Sequence, residues 1–121
     1  METKEKENIK LRFGLAIKKL IDENKAINFE NRKINIKDKN LINSFGRLES
    51  ASGIPKATLI EIVQGRKNAA STTLIAIIEA FDMNLTSFGN YYDKITEEEL
   101  STHKASLQMA KEERGKGKKK K

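Results

Sequence analysis

The sequence predicts an all-α fold: a five-helix domain, with a loop or small β-hairpin inserted after the first helix and an extra helix at the C-terminal end. Three observations predict it. Apolar residues recur at three- and four-residue steps through most of the chain, the period of a helix packed on one side. Gly53, Pro55 and Gly65 punctuate its middle at the spacing of two short helices joined by a tight turn. The hydrophobic fraction, 37% of 121 residues, suits one small core with tails and not two cores.

Residues 1–8 are polar and expected to be disordered. Ile9, Phe13, Ala16, Ile17, Leu20 and Ile21 form the apolar stripe of a first helix that runs to about Asn24. Leu11 and Leu15 widen the stripe, so this helix is expected to be well buried. Residues 25–43 read as an insertion. Between Ala26 and Lys37 apolar and polar residues alternate, so Ile27 and Phe29 share a face, as do Ile34 and Ile36. Pairing the two runs gives a short hairpin with Glu30 to Lys33 as its turn; the alternative is an irregular loop. A lone hairpin is marginal in water and has to pack on the helices.

Ser44 is a natural N-cap for a helix from Phe45 to about Ser52. Gly53 suits the left-handed conformation that a tight turn demands. Pro55 opens the next helix, to about Gln64, where a missing N–H costs nothing. Leu59 and Ile62 share one side of that helix, leaving Lys56, Ala57, Thr58 and Glu61 off it. Ser71 or Thr72 is expected to cap a fourth helix, about Thr73 to Phe81. Asn84 or Thr86 starts a fifth, carrying Leu85, Phe88, Tyr91, Tyr92 and Ile95. The three aromatics at helical spacing read as core or dimer interface. Thr96 to Glu99 is a capping-box pattern that opens a C-terminal helix over 96–113. Its apolar content is thin, which implies weak docking or docking on a partner. Residues 114–121 are expected to be disordered. The domain proper is thus 9–95.

The net charge of +7 invites a nucleic-acid reading, but its distribution argues against resting on it. Six of the 24 basic residues lie in 114–121, which holds no acid, so elsewhere 18 basic residues face 17 acidic ones. The lysine tail either adds nonspecific affinity through counterion release or is a solubility or purification feature. The chain has no cysteine, no apolar run near the ~20 residues of a membrane span, and no signal-peptide core at its start. A soluble cytoplasmic protein is expected. One histidine and no cysteine leave no triad, and no cofactor or metal is implied. His103, in a polar helix, reads as a plain surface residue. No enzyme activity is expected.

From Leu48 to Phe88 the chain resembles the Xre/Cro family of helix-turn-helix transcriptional regulators, the lambda-repressor-like DNA-binding domain. The matching residues are Leu48, Ser52-Gly53-Ile54, Thr58-Leu59, Ile62, Gln64-Gly65-Arg66-Lys67-Asn68, Ser71, Thr73-Leu74, Ile77, Ala80-Phe81 and Leu85. The match continues past the bare motif into the following loop and helix. With the first helix added it covers roughly Ile9 to Ile95, apart from the insertion. Four features depart from the family. Glu49 stands where a small residue is usual, Phe45 where a DNA-gripping glutamine is usual, Val63 replaces a glutamate, and residues 25–43 are longer than the usual connection. A buried Glu49 carboxylate would be costly.

The resemblance implies sequence-specific binding of double-stranded DNA by a prokaryotic or phage regulator, with helix 55–64 in the major groove. Base contacts would fall to Lys56, Ala57, Thr58 and Glu61: lysine donates to guanine, the threonine methyl meets a thymine methyl, glutamate accepts from cytosine. Ser44, Arg47, Arg66, Lys67 and Asn68, with the N–H groups at helix starts, would meet the DNA backbone. A homodimer on a near-palindromic site is expected. Two other readings stay open. One is an antitoxin that binds a toxin, or another protein partner, through 96–113; the other is a protein-interaction module that has lost DNA binding.

Overall fold

The computed structural model describes residues 3–34 and 41–119, with backbone alone from 112 onward. All six of its elements are helices, and the described residues contain no strand: α1 Thr3–Lys33, α2 Phe45–Ser52, α3 Lys56–Val63, α4 Ser71–Ala80, α5 Leu85–Lys94 and α6 Glu97–Lys119. None is long and apolar enough to cross a membrane.

The expected hairpin is replaced by helix. α1 spans 31 residues, about 46 Å, and carries Ile27 and Phe29 within it. The physical reason lies in the supposed turn. Glu30-Asn31-Arg32-Lys33 holds no glycine or proline to reverse the chain. Extending an existing helix costs one residue at a time, whereas a hairpin needs a fresh nucleus. Arg32 and Lys33 also suit the negative end of the helix dipole. Ile36, in the second supposed strand, lies outside the described residues. At its other end α1 starts at Thr3, within the stretch expected to be disordered, and Glu7 pairs with Lys10 at 2.7 Å across one turn.

Only the middle of α1 is buried, from Gly14 to Ile17 and at Leu20 and Ile21. Beyond it Asn24 donates to the Ile42 carbonyl at 2.8 Å, which fastens the chain before α2 back onto α1. Past that clamp Ile27, Phe29 and Ile34 are 48%, 60% and 65% exposed.

The centre of the core is made by one side chain from each of four helices: Ile17, Leu48, Leu59 and Ile77. α2 begins at Ser44, whose hydroxyl accepts from the Arg47 N–H at 3.1 Å. It ends at Gly53, with φ +76°, whose N–H donates to the Glu49 carbonyl at 2.8 Å. Ile54 N–H donates to the Ser52 hydroxyl, and Pro55 leads into α3. Leu59, Ile62 and Val63 bury one side of α3. α1 crosses its last turn so closely that a Cβ at Gly14 would lie 2.7 Å from the Ile62 carbonyl oxygen. α4 starts after Ala70, with no side-chain cap, so neither Ser71 nor Thr72 acts as the expected N-cap. Asn84 caps α5 through the Ser87 N–H at 2.8 Å. Phe88 is buried in the core and Tyr91 packs against it, while Tyr92 is half-buried with its ring 4.8 Å from that of Phe13, centroid to centroid.

α6 opens with the expected capping box, Glu99 N–H to the Thr96 hydroxyl at 3.1 Å and Thr96 N–H to the Glu99 carboxylate at 3.2 Å. It lies along α1, held by Leu100 and His103. Its backbone stays helical to Lys119, into the stretch expected to be disordered. Acids in its first turn and lysines near its end both suit the dipole.

Candidate functional site

α3 is seated by Leu59, Ile62 and Val63, and at about 100° per residue Ala57 and Glu61 stand opposite that stripe. Lys56 and Ala57 are exposed in its first turn; Thr58 and Glu61 are half-buried. The four residues expected to meet bases therefore share one short helix, with Ala57 and Glu61 on its outer side. Lys56 lies nearer the buried stripe and is exposed because it begins the helix.

The start of α3 is already occupied. Glu49 is exposed, and its carboxylate accepts from the Lys56 N–H at 2.8 Å. The residue that looked costly as a buried acid is instead a cap supplied from the preceding helix, where Pro55 has no side chain able to do so. This changes the expectation for backbone N–H groups. The first N–H of α3 serves Glu49 and is not offered to a phosphate. The start of α4 differs: Ala70 provides no cap, so its first-turn N–H groups have no side-chain acceptor.

Arg66, Lys67 and Asn68 are all exposed in the connection between α3 and α4. They lead directly to that uncapped start. Gly65 makes the bend, with φ +71°, and packs so near Leu11 that a Cβ would approach its Cδ2 to 2.9 Å.

Ser44 and Arg47 are drawn into structural work. The Ser44 hydroxyl caps α2, and the Arg47 guanidinium donates to the Leu41 carbonyl at 2.8 Å. Both are half-buried. Arg47 thus pins the chain entering α2. Phe45 packs against the core.

His103 is a correction. It is 7% exposed, and its Nε2 lies 3.1 Å from the Val63 carbonyl oxygen. It ties α6 to the end of α3, whose last carbonyls lack partners within the helix. The spacing Leu100, His103, Leu107 carries the signal: one helical side on which histidine takes an apolar position.

Two groups at the periphery have displaced pKa values. The Lys19 ammonium, then the Thr96 N–H, hold the Glu99 carboxyl below its ordinary range. Hydrogen bonding to Glu23 at 2.9 Å, then partial burial and the Glu23 charge, raise the Tyr91 hydroxyl. Neither lies on α3 or in residues 66–68. Among the described residues no group of three or more histidines or acids is placed to hold a metal ion. No family model matches the chain, and neither a curated protein nor a solved structure does.

Proposed function

We propose that the chain is a sequence-specific double-stranded DNA-binding regulator of the lambda-repressor-like helix-turn-helix kind. α2 and α3 form the motif, and α3 lies in the major groove. The observation that carries this reading is the pairing of two surfaces. A core-seated helix turns Ala57 and Glu61 outward beside Lys56 and Thr58, and an exposed Arg66-Lys67-Asn68 loop leads to an uncapped helix start. The first surface suits base edges and the second suits phosphate. Two copies on a near-palindromic site, with half-sites about 34 Å apart, fit this geometry. In this reading the protein acts in the cytoplasm and needs no cofactor.

Selection of bound sequences from a random duplex pool tests it, with the full chain and with residues 114–121 removed. The expected result is one enriched motif that survives removal of the tail. Enrichment of no motif by the full chain would overturn the reading.

A second reading is favoured by one observation. Ile27 and Phe29 near the end of α1, and Ile34 just past it, are largely exposed. An antitoxin or other partner-binding regulator would use such a surface. The contact would then lie on α1, since α6 spends Leu100 and His103 on its own domain. Co-purification of a second protein that is lost on Ile27→Asp with Phe29→Asp would support it.

A further inference from the structure

The near-neutral charge of residues 1–113 is unevenly spread. One cleft of about 470 Å³ opens between the N-terminal half of α1, the turn at Gly65 and Arg66, and α6. A second, of about 330 Å³, lies between the start of α1 and Asn68. The two share Glu7 and Lys10 and so form one continuous tract. Five cations line it, Lys6, Lys10, Arg66, Lys104 and Lys111, against one carboxylate, Glu7. Glu7 is engaged by Lys10. None of the other four pairs with a described acid.

We propose that this tract holds DNA phosphates beside the α3 footprint, so that α6 and the start of α1 extend the backbone contact that begins at Arg66. The inference rests on the proposed function and deepens it. Three features point to a nucleic-acid backbone. The tract contains Arg66 and Asn68, two of the three loop residues next to the start of α4. Its cations come from three separate parts of the chain, which suits a row of phosphates better than one small anion. Lys104 and Lys111 are seven residues apart, two turns or about 10 Å along α6, so both face the same cleft. Unpaired cations held by helices release condensed counterions when they meet phosphates.

The test is a salt titration of the full chain on its selected duplex and on a random-sequence duplex, for wild type and Lys104→Gln with Lys111→Gln. The expected result is about tenfold weaker binding to both duplexes. The slope of log affinity against log salt should fall by about 2, one unit for each lost contact. The selected motif should be unchanged. Lys33→Gln with Lys94→Gln makes the same charge change at exposed sites off the tract and should leave the slope as it is. An unchanged slope for the tract variant, or an equal loss in the control, would overturn the inference while leaving an enriched motif to support the α3 reading. If the wild type enriches no motif, that reading fails, and the random duplex still decides the tract. Tight capture of polyglutamate with no effect of the variant on DNA would overturn it in favour of an acidic protein segment.

Discussion

α3 and α6 both pack against α1, and they differ in how they are held. α3 has eight residues and buries three, wedged where Gly14 lets α1 approach its last carbonyls. α6 spans 23 residues, and of those whose side chains are described only Leu100 and His103 are buried. A helix fixed by the core presents its outer side at a set position, which reading base edges requires. A helix fastened near one end suits contacts with a charged backbone that tolerate small displacements. In the proposed reading this difference separates selectivity, on α3, from added affinity, along α6.

The largest effect should come from unseating α3. Leu59→Ala empties a fully buried position and is expected to cost about 2–5 kcal/mol in urea denaturation. Gly14→Ala drives a methyl into the Ile62 carbonyl and should cost about 1–3 kcal/mol. Either change should lower DNA binding and stability together. Equal stability of Gly14→Ala and wild type would show that α1 and α3 are not in close contact. At the outer side of α3, Lys56→Ala with Thr58→Ala should relax base preference by about 1–3 kcal/mol for each lost contact, with little change in the melting curve.

Changes on α6 should stay local. His103→Leu leaves the Val63 carbonyl without its partner and should cost about 1 kcal/mol. Hydrogen exchange should then speed up in α6 more than in α2 to α5. A uniform rise in exchange would instead make α6 part of the same cooperative unit as α3. The smallest effect concerns acid. Glu99 is held below its usual pKa of 4.5 by Lys19 and the Thr96 N–H. A carboxyl lowered in the folded state adds stability above its unfolded pKa, and that stability is lost as pH falls through the folded value. α6 should therefore loosen below about pH 4.5, where its capping box and its link to Lys19 are protonated away. Glu99→Gln should remove that pH dependence.

Much of the helical framework was legible in the sequence, because the local signals are strong. Ser44, Gly53, Asn84 and Thr96 with Glu99 end or begin helices as their chemistry dictates. What escaped depends on partners distant in sequence. The period-two run at Ile27 and Phe29 mimics a strand, yet without a glycine or proline to reverse the chain it continues the helix whose middle, Gly14 to Ile21, packs in the core. Glu49 departs from the helix-turn-helix pattern that the sequence resembles, and the position of the Lys56 N–H gives its carboxylate a partner. His103 reads as a surface residue until α6 is laid against the end of α3. For the candidate site, Lys56, Ala57 and residues 66–68 are exposed and Thr58 and Glu61 half-buried, while Ser44 caps α2 and Arg47 tethers the chain before it. The cationic tract was hidden because its members lie far apart in a chain whose charge nearly cancels before residue 114.

The central claim is that the outer side of α3 reads bases. Its most direct test compares base-by-base preferences, from the same random duplex pool, for wild type and for Lys56→Ala with Thr58→Ala. One wild-type motif is expected, in which a few positions lose preference in the variant while the others persist. Identical preferences in the two proteins would place the reading surface elsewhere and contradict the account.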